Sequence, residues 1–153
     1  MAIIAACLAV VAVSGHICTT EELLAQQKAS DQWSYYQAKS IRRYQSEVAR
    51  DLALLGCCGN GDKNAKTAEK YASSIEKYKK DGEEIQDKAH EFEKESATAG
   101  QRALRLHYGE VFLELAIVMA SLSLLTRRKL FLNGALAIAA VGVAIGASAL
   151  LLH

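Results

Sequence analysis

His107, Glu110 and Glu114 are spaced three and four residues apart, which puts them on one face of a helix. An imidazole beside two carboxylates offers the groups of a proton relay or of part of a metal site. Carboxylates at the start of an apolar run are costly and tend to be paired or functional. A metal would need further ligands from another helix and a relay would need a path, so the set is expected to be an interfacial polar cluster completed by His16 or by a neighbouring subunit. His90 and Glu93 have similar spacing but lie among solvated charges. Of the four cysteines, Cys57 and Cys58 are adjacent, an arrangement that neither bonds internally without distortion nor matches the C-x-x-C spacing of metal sites. Cross-linking of neighbouring chains is the one chemistry open to them in an oxidising compartment, and the expected reading is an unremarkable pair at the hairpin tip. Cys7 and Cys18 read as small packing residues. The chain carries no glycine-rich phosphate loop, nucleophile elbow or paired-cysteine metal motif. It is therefore expected not to be an enzyme and to hold no cofactor, metal or catalytic residue.

The elements that must position these residues follow from where the charge falls. The 153 residues are 51% hydrophobic, with a formal net charge of +1 and no proline, a balance that fits neither a disordered chain nor a nucleic-acid binder. The first 18 residues and roughly the last 43 carry long uncharged runs, while most charges lie between Glu21 and Arg105. Such segregation marks a membrane protein rather than a globular core. Leu130 to Leu152, "LFLNGALAIAAVGVAIGASALLL", is uncharged and, at ~1.5 Å per residue, long enough to cross a ~30 Å hydrocarbon layer. Within it Gly142 and Gly146 form a G-x-x-x-G pair, extended by Ile138 and Leu150, with Gly134 and the Ala140, Ala144, Ser148 row adding small surfaces. Such surfaces let backbones approach closely, whether from the chain's own second span or from another chain.

Val111 to Leu125, "VFLELAIVMASLSLL", is a second span with Glu114 inside it, joined to the third by a tight "TRRK" turn. The opening "MAIIAACLAVVAVSGHIC" has no basic residue ahead of its apolar stretch, so it reads as a retained membrane helix rather than a signal peptide. At about 17 residues it is at the short end for a span, which would suit a natural chain that starts earlier. Arg127, Arg128 and Lys129 crowd into the shortest loop, where the positive-inside bias acts most strongly. That loop is expected in the cytoplasm, against the weaker pull of Arg102 and Arg105, and the charged middle on the far side.

From Thr19 to Tyr108 the one strong cluster of helix breakers is "GCCGNGD", Gly56 to Asp62. Gly56 is a natural helix end, and Asp62 or Asn64 can cap the next helix. Thr19 with Glu22 has capping-box spacing, which predicts a break between the first span and the first arm. In the second arm Tyr71, Ile75, Tyr78, Gly82, Ile85, Ala89, Phe92, Ser96, Ala99, Ala103 and Leu106 alternate steps of four and three, the pattern of a coiled-coil seam. In the first arm Ser30, Trp33, Gln37, Ile41, Tyr44, Val48, Leu52 and Leu55 repeat after eleven residues, which predicts a nearly straight or slightly right-handed seam. Trp33, Tyr36 and Tyr44 are expected to insert as knobs facing Gly82, Ser96 and Ala99. Tyr35, Lys39, Arg42 and Arg43 fall off that stripe and suit a second surface. With Trp33 and Tyr36 they make up the candidate interaction residues.

The organisation expected is a membrane helix over 1–18, a helical hairpin over 19–108 with arms 19–55 and 63–108 and a tip at 56–62, and membrane helices over 109–126 and 130–152. This is an all-α membrane protein with a long antiparallel coiled-coil hairpin between its first two spans.

The apolar start, "LLAQQKASDQWSYYQAKSIRR", the charged segment and the apolar pair split by "LLTRRKLFL" together resemble the bacterial family known as domain of unknown function 4337. "ASDQW-x-YYQAKSI" is the most specific part, and the likeness covers nearly the whole chain. The resemblance implies a small inner-membrane protein with three spans and no assigned activity, and it carries over no site residue. The function expected is a non-catalytic, membrane-anchored structural or accessory subunit that mediates assembly through its hairpin. Its partners would be the lipid bilayer and other membrane subunits or further copies of itself. The alternative is a small transporter or proton- or metal-handling protein using His107, Glu110 and Glu114.

Overall fold

A chain without proline keeps every backbone N–H available for the helical ladder, and the result is three long helices. The computed structural model describes residues 2–56 and 61–149; Cys57, Cys58, Leu150 and His153 lie outside the described residues. Helix α1 spans Ala2–Leu54, α2 Gly61–Thr126 and α3 Lys129–Ser148, with no strand among the described residues. All three are long and apolar enough to cross a membrane. The break expected at Thr19 does not occur. Ser14, Thr19 and Thr20 donate their hydroxyls to the carbonyls of Val10, Gly15 and His16, four residues back. That local bond lets hydroxyl residues ride inside a helix, where capping would have ended one.

The ends follow local chemistry. Gly56 adopts φ +75° just past α1, and the Leu55 and Gly56 N–H groups bond to the carbonyls of Asp51 and Ala53; this is the expected glycine stop. Asp62 lies inside the first turn of α2, where its charge suits the helix dipole. Between α2 and α3 only Arg127 and Arg128 are non-helical. Arg127 takes φ 54° and Arg128 is extended, while Ser123 donates to the Arg128 carbonyl.

The residues group into two compact units, one of residues 1–25 with 94–153 and one of residues 26–93. In the first, Leu113, Ala116 and Ala139 form a buried centre against which Ile4, Cys7, Leu8, Val11 and Ile138 pack. Helices α2 and α3 meet here backbone to backbone: a Cβ on Gly109 would lie 2.9 Å from the Gly142 carbonyl oxygen, and one on Gly142 would lie 3.0 Å from that of Gly109. Gly142 therefore serves the chain's own second span, and a Cβ on Gly146 would meet Val11 of α1 at 3.4 Å. Ser96 donates to the Glu22 carbonyl and Ala99 is buried.

In the second unit, the α2 face expected to be covered is covered: Tyr71, Ile75, Tyr78, Gly82, Ile85, Ala89 and Phe92 are all buried or half-buried. The α1 face is not the expected one. Ile41, Tyr44, Val48, Leu52 and Leu55 are 50–77% exposed, and Ser30 and Gln37 are exposed as well. The row Ala29, Gln32, Tyr36, Lys39, Arg43, Ser46, Arg50 and Ala53 is covered and alternates steps of three and four, with Trp33, Ser40, Glu47 and Ala49 half-buried beside it. Apart from Trp33, which is half-buried and bonds Glu93, the eleven-residue repeat thus marks the outer face, and the covered row of α1 has the same heptad step as that of α2. Long polar side chains make this possible by laying their methylene stems along the partner helix while their heads stay wet.

Candidate functional site

The residues singled out by spacing fall into two groups, one in each unit. In the first unit His107 is half-buried and bonded at both ring nitrogens: Nε2 is 3.2 Å from Thr19 Oγ1 and Nδ1 is 3.2 Å from Glu110 Oε2. Thr19 spends its hydroxyl proton on the Gly15 carbonyl at 3.0 Å, so network accounting makes Nε2 the donor toward Thr19. His16 adds an edge-on ring contact at 6.3 Å. Glu114 does not join the cluster. It is exposed and makes no hydrogen bond or ion pair among the described residues. Thr19 was missed because its spacing to Glu22 read as a cap. The signal for it was His16 and Thr19 sharing one face of α1. Among the described residues no group of three or more His, Cys, Asp or Glu side chains is placed to hold a metal.

In the second unit the aromatic strip faces α2. Trp33 Nε1 donates to Glu93 Oε1 at 2.8 Å, and His90 Nδ1 is 2.9 Å from Glu93 Oε2. The Trp33 ring stands edge-on to Tyr36 at 5.7 Å and to His90 at 5.3 Å, a favoured geometry for ring pairs. Tyr36 lies over Gly82, where an added Cβ would meet its ring at 3.4 Å; here a small residue does receive a ring. One turn on, Lys39 Nζ bonds Asp81 Oδ2 at 2.8 Å and sits 5.4 and 5.5 Å from the Tyr35 and Tyr78 ring centres. Lys39 therefore belongs to the covered face, not to an outer surface. Arg43 lies 3.5 Å from Glu47 and stacks over Tyr44 at 4.9 Å, while its Nε is buried without a hydrogen-bond partner among the described residues. Tyr35 and Arg42 are the members of the strip that stay exposed. Glu93, His90 and Asp81 were passed over because they sit in a run of solvated charge, and only the opposite helix gives them partners.

Electrostatics follows from these contacts. Lys39 holds the Asp81 carboxyl below the usual carboxylate range. Asp81, with Tyr35 second, pushes Lys39 up. His90 and then Trp33 pull Glu93 down, and Glu84 raises Lys88. Each is the expected effect of a hydrogen bond to the charged form.

The model of the domain of unknown function family DUF4337 matches residues 1–152. The chain belongs to the DUF4337 family. No curated protein and no solved structure matches it. For this DUF4337 chain the remaining candidate residues stand on geometry alone: Cys7 and Cys18 are free and half-buried, and Cys57 and Cys58 fall outside the described residues.

Proposed function

We propose that this DUF4337 protein is a non-catalytic, membrane-anchored structural or accessory subunit that assembles with other membrane subunits, or with copies of itself, through its helical hairpin. The observation that carries this reading is the stripe Ile41, Tyr44, Val48 and Leu52, apolar and exposed along one face of α1 and continued by the exposed Leu55 just past its end. A row of this length spaced to one helix face is what an interhelical partner buries. Glu114 adds a second indication, because a carboxylate on an otherwise apolar outer face of a span is costly until a neighbour covers it. The hairpin is read as an antiparallel coiled coil. In support, Lys28 lies over Phe92 and Trp33 bonds Glu93, whereas Lys39, further along α1, bonds Asp81, earlier on α2. The three apolar stretches are taken to cross the bacterial inner membrane. In support, they are only 6%, 28% and 22% buried within the chain, leaving most of their surface for lipid. The α2–α3 turn is read as cytoplasmic and the hairpin as periplasmic; in support, Arg127, Arg128 and Lys129 crowd into the shortest loop, where the positive-inside bias acts most strongly.

The test is chemical cross-linking in native membranes followed by identification of what co-purifies, with wild type beside a Val48→Lys/Leu52→Lys variant. The variant should lose the cross-linked species while keeping its helix content. Reproducible isolation of the wild type as a lone monomer refutes the reading. The Thr19–His107–Glu110 chain favours one competing reading, a small proton- or ion-handling protein. That reading predicts that His107→Ala or Glu114→Gln abolishes a measurable flux with assembly intact.

A further inference from the structure

Along the exposed stripe of α1 runs an open groove of about 420 Å³, lined by Ile41, Tyr44, Gln45, Val48, Ala49 and Leu52. All six residues belong to α1. They form two overlapping sets, Ile41, Tyr44, Gln45, Val48 and Gln45, Val48, Ala49, Leu52, each with offsets of three, four and seven residues. Four residues so spaced make the hole that takes one side-chain knob from a facing helix. We infer that the facing helix is α1 of a second copy of this chain, the two arms lying parallel and in register. The inference rests on the membrane-anchored assembly reading above and names the partner.

Charge decides for a second copy over a foreign helix. Helix α1 runs from Ala2 to Leu54 without a break, so copies inserted in one membrane in one orientation send their first arms out in the same direction, and arms that touch are parallel. In a two-fold parallel pair each residue on the contact row meets its own counterpart. A charge there would face the same charge, whereas a foreign partner could answer it with the opposite one. The row continues back from Ile41 through Gln37, Ser30 and Gln26, all exposed. It carries no charge from Gln26 to Leu52, although eight charged residues lie within that stretch of α1. One of them, Asp51, sits beside Leu52 and is paired with Arg50 at 2.8 Å.

Spacing and polarity set the register. Gln26, Gln37 and Val48 are eleven residues apart, as are Ser30, Ile41 and Leu52. That repeat keeps the row on one side of a nearly straight helix, for roughly 39 Å at ~1.5 Å per residue. Slipping one chain by four or seven residues would set Gln37 against Ile41 or Tyr44. A glutamine amide both donates and accepts, so Gln37 is satisfied by its own counterpart, and a polar residue at a seam position specifies register in this way.

The test uses the full chain in native membranes, with Cys7, Cys18, Cys57 and Cys58 replaced by alanine. Mild oxidation should join Val48→Cys chains into disulfide-linked pairs, and Gln37→Cys chains likewise, because the bond needs Cα atoms within about 7 Å. Arg42→Cys, about 120° around the helix from Val48, should link at least fivefold less. Independently, and with the native cysteines kept, two differently tagged copies should co-purify at least tenfold less when both carry Val48→Lys. They should recover when one carries Val48→Lys and the other Val48→Glu. Linking at Val48 and Gln37 no stronger than at Arg42, or failure of the mixed pair to recover, overturns the proposal. Loss of a different protein, rather than of the second copy, from the Val48→Lys chain also overturns it and leaves the assembly reading standing. Isolation of the wild type as a lone monomer overturns both.

Discussion

Gly109→Ala is the most direct test of the α2–α3 crossing. A Cβ there would lie 2.9 Å from the Gly142 carbonyl oxygen, 3.1 Å from the Gly146 nitrogen and 3.2 Å from its Cα. All three atoms are backbone, so no rotamer change can relieve the contact. Ordinary contact begins at 3.4 Å; the shortfall to the carbonyl oxygen is 3.4 − 2.9 = 0.5 Å, and α3 must move by about that amount across a packed face. Overpacking of this kind costs about 1–3 kcal/mol. Replacing glycine by alanine inside a helix returns about 1 kcal/mol, which leaves a net loss of roughly 0–2 kcal/mol. Gly134→Ala is the internal control, because its Cβ would meet only Met119 Cε at 3.7 Å. It should gain up to about 1 kcal/mol from helix propensity alone. Reversible unfolding in detergent micelles, followed by circular dichroism, gives both values under one set of conditions. The difference of sign between the two sites is the expected result. Equal effects at both would refute the crossing, and so would a Gly109→Ala/Gly142→Ala double variant whose cost is the simple sum, because neighbours that share one separation are not additive.

Acid should loosen the second unit. Asp81 and Glu93 titrate below their usual values in the folded chain, so their stabilisation is present above the unfolded carboxylate pKa and is lost as pH falls through the depressed folded values. Lys39 is shifted upward, so its share is full below the ordinary lysine pKa and is lost only as pH rises through the raised one. A pH series of thermal melts checks both limbs, and Asp81→Asn with Lys39→Met should flatten the alkaline one. Arg127→Gly should relieve the φ of 54° and stabilise the turn by about 1 kcal/mol, measured in the same micelle assay. Its removal of a cation is controlled by Arg127→Asn, which tolerates that backbone and also lacks the charge. A membrane-impermeant maleimide applied to intact spheroplasts should label Cys57 and Cys58 after mild reduction, and Cys57→Ser/Cys58→Ser should abolish the signal. Labelling only after the membrane is broken would place the hairpin in the cytoplasm.

The sequence by itself determined whatever depends on near neighbours in the chain. Absence of proline lets the helices run unbroken, Gly56 ends the first of them, and the crowded cations Arg127 and Arg128 mark the turn between the last two. The α2 seam was legible because its covered positions carry large apolar side chains such as Ile75, Ile85 and Phe92, separated by charge. On α1 the same reasoning chose the wrong face. Its covered positions are Ala29, Tyr36, Lys39 and Arg43, whose burial lies in methyls, rings and methylene stems that a count of apolar residues passes over. Only the opposite helix makes that face favourable, by offering Asp81 to Lys39 and an open Gly82 to Tyr36. Thr19 is a similar case. Its local pattern suggested a helix cap, whereas its hydroxyl satisfies a carbonyl four residues back and then meets His107, eighty-eight residues away. Hydrophobic pattern fixes what a segment becomes, but the face it buries depends on what the partner can receive, and that is set by contacts distant in the chain.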